Sequence, residues 1–194
     1  MFNFKIIAKI FSNFVKNPCG EFKYKEKIEY LVWLSIKTNH TLWDLEDLAR
    51  LPELGDKHVS GTKKEIDRNN QIRNDLIKDI DMEIIKEFDV STGPQEKFYS
   101  ESPGMIIDRL AIIFIKLSVI KKLISVIKEE DLKQDYINKG KLISGQMENL
   151  GNFLDLYLIR IKNGKAIFEI QQPIKIYNDE RVKKYIRIIK QDHR

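Results

Sequence analysis

Residues 62–88 read TKKEIDRNNQIRNDLIKDIDMEIIKEF, a run without glycine or proline. Ile77, Ile80, Ile84 and Phe88 recur at steps of three and four, and Ile66 lies three turns back on the same line, so the segment is an amphipathic helix. Thr62 followed by Glu65 has the pattern of a capping box and predicts that the helix starts there. Stepping back along the apolar stripe from Ile77 lands on Arg73 and Asn70. Asp67, Asn74 and Asp81 flank that line, and Asp75 adds a further candidate charge on this helix. One half of the helix thus offers isoleucine to a core, and the other half offers amide, guanidinium and carboxylate groups.

The same mixture appears on either side. A helical pattern from about Lys25 to Leu51 is stopped by Pro52 and Gly55. Its stripe runs through Val32, Ile36, Asn39, Trp43, Glu46 and Arg50, with His40 and Asp47 alongside. Glu46 and Arg50, four apart, are placed to pair. After a loop at 89–101, Ser102-Pro103 predicts a third helix: Ser caps it, and Pro loses nothing at the first helical position. That helix runs to about Lys128. Within it Asp108 aligns with Ile112, Ile115 and Val119, and Arg109 aligns with Ile113, Lys116 and Ile120. A break near Glu129 to Leu132 precedes a last long helix, which Asn163-Gly164 ends. Gly140, Gly145 and Gly151 lie inside it, where they permit close approach of a neighbour at some cost in helix propensity.

Residues 2–15 carry Phe4, Ile7, Phe11, Phe14 and Val15 on one face, so they form a further amphipathic helix. Lysines interrupt it too early for a signal-peptide core, and it is too short and charged to span a bilayer. Packing on its own domain is the commoner use of such a face; weak contact with a membrane surface is the other. Beyond Gly164, residues 167–170 and 174–177 are β-leaning and suggest a short hairpin, followed by a short basic helix from Asn178. The fold class is therefore all-α. We expect a bundle of about four long helices with an amino-terminal amphipathic helix and a small carboxy-terminal extension, divided as 1–164 and 165–194.

Composition agrees with a folded domain. Hydrophobic residues make up 42% and charged residues 32% of the 194. The net charge of +5 sits mostly toward the two ends and forms no single stripe, so no nucleic-acid partner is expected. The lone Cys19 rules out an internal disulfide and any Cys-based zinc site, and fits a reducing, cytoplasmic setting.

The candidate site is the set of polar residues at core-facing positions. It comprises Asn39, His40, Trp43, Glu46, Asp47, Arg50, Asp67, Asn70, Arg73, Asn74, Asp75, Asp81, Asp108, Arg109 and Lys116. Ser102 and Gly104 join them, because a helix start offers free amides to an anion and Gly104 lets it come close. Stability does not require such a cluster, since apolar replacement of buried ion pairs is often neutral. Two readings follow: a salt-bridge and amide network that fixes helix register, or a polar ligand site in the bundle.

Three ordered motifs carry a resemblance. They are Asn39-His40-x-Leu42-Trp43-x-x-Glu46-Asp47-x-x-Arg50, Lys64-x-Ile66-Asp67-x-x-Asn70-Gln71-x-Arg73-Asn74-Asp75, and Ser100 to Leu110 with Pro103-Gly104 and Asp108-Arg109 inside it. From about Asn17 to Gly164 the chain resembles the bacterial family called domain of unknown function 4254. Ala111 departs from the serine expected after Leu110. The resemblance implies no activity. It implies an association with glycosyltransferases of surface-polysaccharide assembly, and so a phosphate- or nucleotide-bearing sugar as ligand; on physical grounds Arg50, Arg73, Arg109 and Lys116 are the side chains able to hold its phosphate, arginine through its bidentate fork.

Three functions fit this reading. The first is a binding protein accessory to glycosyltransferases. The second is a magnesium-dependent nucleotide pyrophosphohydrolase, in which Glu46, Asp47, Asp67, Asp75, Asp81 and Asp108 hold the metal, although the paired Glu-x-x-Glu spacing of such enzymes is missing. The third is a structural or protein-interaction module. No catalytic residue, cofactor, metal or oligomeric state is assigned. The helical serines have no neighbouring histidine, and no Gly-rich phosphate loop follows a strand.

Overall fold

The computed structural model describes residues 2–20, 23–51, 53, 55–90, 98–170, 180–182, 185 and 188. Five helices dominate them: α1 (Phe4–Lys16), α2 (Lys27–Ala49), α3 (Asp56–Phe88), α4 (Pro103–Val126) and α5 (Glu130–Lys162). α2 runs against α3 and α4 against α5, while α4 also packs on both α2 and α3. That position explains the composition of α4. Ile106, Ile107, Leu110 and Ala111 are fully buried, because neighbours close on it from several sides.

α1 is capped by the Asn3 side chain, which accepts from the Ile6 N–H at 3.1 Å. Its apolar face is spent inside the domain: Ile7, Phe11 and Phe14 are buried against the rest of the core. The Phe4 N–H donates to Asp155 of α5 at 2.6 Å, and Gly151 gives the Phe4 ring its place. No helix among the described residues is long and apolar enough to cross a membrane.

Two boundaries differ from the sequence reading. α3 starts at Asp56, six residues before Thr62. Thr62 lies inside the helix, and its hydroxyl donates back to the His58 carbonyl at 3.0 Å, a helical use of threonine that leaves no capping box. The predicted 89–101 loop contains β1 (Phe98–Tyr99), which pairs in parallel with β2 (Ile167–Phe168). The carboxy-terminal segment therefore pairs with the entry to α4, and Ala166 is buried beneath it. The second half of the expected hairpin lies outside the described residues. Of the expected terminal helix they show a 3-10 turn at Glu180–Val182 and helical backbone at Tyr185 and Ile188.

Candidate functional site

The polar positions form two separate groups. The first is built where α2, α3 and α4 meet. Asn39 of α2 is 5% exposed and donates through Nδ2 to Asp108 of α4 at 2.8 Å and to the Ser35 carbonyl at 3.0 Å. Asp108 is 8% exposed. Burial pushes its carboxyl above the usual carboxylate range, against the opposing pull of the Asn39 hydrogen bond and of the Arg73 and Arg109 charges. Arg73 of α3 brings its Nε to 3.7 Å from Asp108, too far for a hydrogen bond. That Nε is buried and has no hydrogen-bond partner.

Beside this trio opens a cleft of about 210 Å³. Asn39, Trp43, Asn70 and Arg73 form its inner walls, and Leu42, Ile112 and Ile115 give it apolar surface. Glu46, Asp47 and Arg50 stand at its exposed edge. Arg50 pairs with Asp47 at 3.4 Å, three residues away, in place of the Glu46 expected from the four-residue step. Both members are largely exposed, so the link is weak and leaves the guanidinium available. The arrangement offers donors from Arg73, Arg50 and Asn70, acceptors from Glu46 and Asp47, and an indole against an apolar wall.

The second group surrounds the start of α4. Ser102 caps the helix, its hydroxyl accepting from the Met105 N–H at 3.3 Å. The Gly104 N–H donates to Asp81 Oδ1 at 2.7 Å. The anion that this helix start was expected to bind is therefore the protein's own Asp81, reaching across from α3. Asp81 is 1% exposed, and burial drives its carboxyl from 3.8 to about 6 although Ser102 and the Gly104 N–H favour the charge. Tyr157 lies against the same region and donates to the Glu101 carbonyl at 3.1 Å.

The raised carboxyl has a consequence for stability. A folded-state value above the unfolded one means that the native protein holds this proton more tightly, so the contribution is full at low pH and is lost as pH rises through about 6. Asp81→Asn keeps an acceptor for Gly104. Urea unfolding between pH 4 and pH 7 should show the wild type losing up to about 3 kcal/mol relative to this variant. Parallel profiles for the two proteins would show that Asp81 does not titrate in this window.

The remaining predicted residues fall outside both groups. His40 is half-buried, pairs with Asp44 at 3.1 Å and packs on Phe14. Asp67 is exposed, and so is Asp75, which accepts from Gln71 at 2.9 Å. Asn74 is half-buried and does not line the cleft. Arg109 and Lys116 are exposed, and Arg109 pairs with Glu101. Both stand on a row of α4 that turns away from the junction with α2 and α3. Ile112 and Ile115, read only as stripe partners of Asp108, turn out to be part of the cleft. Ala111, where a serine was expected, is fully buried and off the cleft.

A protein-family model matches residues 29–170, which takes in α2 from its third residue, α3 to α5 and both groups. The chain belongs to the family "Protein of unknown function (DUF4254)". No curated protein and no solved structure matches it. The DUF4254 region contains every residue of the cleft and of the α4 cap, whereas α1 and residues beyond 170 lie outside it. Among the described DUF4254 residues, no three His, Cys, Asp or Glu side chains gather as metal ligands.

Proposed function

We propose that the cleft between α2, α3 and α4 binds a phosphate-bearing sugar, free or as the end of a sugar nucleotide. The observation that carries this reading is Arg73. Its guanidinium stands in a cleft wall with a buried Nε and no hydrogen bond, although a buried donor left unmade costs about 1–3 kcal/mol. A phosphate oxygen would satisfy it with a charge-assisted bond. Glu46, Asp47 and Asn70 suit sugar hydroxyls, and Trp43 suits the apolar face of the ring. The volume of about 210 Å³ suits a compact ligand, so the nucleotide part of a sugar nucleotide would extend past Arg50 into solvent. The accessory role beside glycosyltransferases of surface-polysaccharide assembly rests on the association of family members with such enzymes.

The competing reading is a structural network, favoured by the short Asn39 to Asp108 bond that ties α2 to α4. The magnesium hydrolase reading finds no support in the placement of the acids: Asp67 and Asp75 are exposed and Asp81 caps α4.

Thermal unfolding separates the three. Hexose 1-phosphates, uridine diphosphate sugars, uridine monophosphate and inorganic phosphate would be compared with and without magnesium. A ligand at a hundred times its dissociation constant adds about 2.7 kcal/mol, and each kcal/mol moves the midpoint by about 2–4 °C at this size. We expect a metal-independent rise of about 5–11 °C with a phosphorylated sugar, absent in Arg73→Ala. A rise that requires magnesium would favour the hydrolase. No rise with any compound would favour the network.

A further inference from the structure

The amino-terminal part of the molecule carries a feature that the cleft does not use. Residues 1–37 hold seven lysines against three glutamates, a net +4 of the chain's +5. They contain no arginine. The apolar face of α1 is buried in the domain, so Lys5, Lys9 and Lys16 stand on its outer side; Lys23 and Lys25 lie on the segment that follows, and Lys27, paired with Glu83, and Lys37 lie on α2.

Two adjoining grooves gather four of the lysines. One, between α1 and α2, is lined by Lys9, Lys23 and Lys25 together with Tyr24 and Trp33. The next shares Tyr24 and Trp33 and adds Tyr30 and Lys37. The three rings pack on one another at centroid distances of 5.6–6.0 Å, and Lys37 Nζ lies 4.9 Å from the Trp33 ring centre. Tyr30 is 45% exposed. Among the described residues none of the four lysines is in an ion pair. The acid in the groove, Glu29, accepts from the Lys25 backbone N–H at 3.1 Å.

We propose that this lysine-ringed aromatic patch docks the protein on an anionic lipid bilayer. Tyr and Trp favour the headgroup layer, where an apolar ring and a polar edge are both accommodated. Lysines are flexible point charges suited to a diffuse negative surface, whereas structured phosphate recognition draws on the arginine fork, which is missing from this region. The contact would not insert α1, because its apolar face already serves the core. It would place the DUF4254 bundle at the membrane surface, held by charge.

Cosedimentation tests this with phosphatidylcholine vesicles and with vesicles that also contain phosphatidylglycerol. We expect pelleting with the anionic vesicles only, reversed by high salt. Each lysine near the surface contributes about 1 kcal/mol, or about fivefold in partitioning. The variant Lys9→Glu/Lys23→Glu/Lys25→Glu should therefore bind at least about a hundredfold more weakly. Its side chains are exposed, and its unfolding midpoint should match the wild type. Tyr30→Ser should weaken binding without changing the salt dependence. Equal binding to neutral vesicles, no binding to anionic ones, or wild-type binding by the triple variant would overturn the proposal. So would tighter binding of a single-stranded RNA oligonucleotide that the same lysine variant abolishes, which would make the patch a nucleic-acid surface.

Discussion

Replacing Gly104 by alanine should lower the unfolding free energy by about 3 kcal/mol, a fall of about 6–12 °C in the midpoint at this chain length. A Cβ on Gly104 would stand 2.4 Å from the Ile77 carbonyl oxygen and 2.9 Å from Asp81 Oδ1. The first of these is backbone inside α3 and cannot rotate aside, so α3 and α4 must separate. Separation also stretches the 2.7 Å bond from the Gly104 N–H to Asp81, leaving a buried carboxylate less well satisfied. Alanine is worth at most about 1 kcal/mol over glycine in a helix, and less in the first turn, so sterics decide the sign. Gly61 supplies the internal control. It lies within α3 with nothing inside 4 Å of a Cβ, so Gly61→Ala should raise stability by up to about 1 kcal/mol. Denaturant unfolding of the two variants checks both signs; a Gly104→Ala midpoint within about 2 °C of wild type would mean that the two helices are not in this close contact.

Asp108→Ala is the second large effect, about 2–3 kcal/mol. It removes the acceptor of a buried amide, takes away the counter-charge nearest Arg73 and leaves a void. The loss stays below the 3–5 kcal/mol of a fully buried ion pair, because the Arg73 side chain is 32% exposed and 3.7 Å away. Arg73→Ala should cost about 1 kcal/mol or less, since no hydrogen bond is lost. This asymmetry distinguishes the readings. In a structural network both residues matter alike; in a ligand site, Asp108 holds the frame and Arg73 waits for its partner. Unfolding free energies of the two variants, measured in the same buffer, give the comparison directly.

Much of this arrangement was readable from residue spacing. Steps of three and four placed Asn39, Arg73 and Asp108 at core-facing positions of three helices, and these are the residues that meet. Ser102-Pro103 and Asn163-Gly164 marked helix ends because their chemistry there is local. What spacing does not carry is rotation. Arg109 and Lys116 share a stripe with isoleucines, yet both side chains are exposed while Ile120 of the same row is buried near Gly140 of α5, because α2 and α3 meet α4 on the Asp108 side. Thr62 misled for a related reason: a hydroxyl that caps a helix start also bonds back to a carbonyl within a helix, and Thr62 with Glu65 fits both. The role of Asp81 depended on contact between α3 and α4 that no local pattern encodes. The glycine of the predicted anion site proved to be where another helix and its carboxylate come close.

Whether Arg73 binds a ligand in the cleft is decided by titration calorimetry of a hexose 1-phosphate against wild type and Arg73→Ala. We expect saturable, magnesium-independent binding to the wild type and at least about tenfold weaker binding to Arg73→Ala, the loss of a charge-assisted hydrogen bond of about 1.5–3 kcal/mol, with the unfolding midpoint of the variant nearly unchanged. Equal affinity of the two proteins, or a variant that loses binding only because it has unfolded, would contradict ligand binding by Arg73.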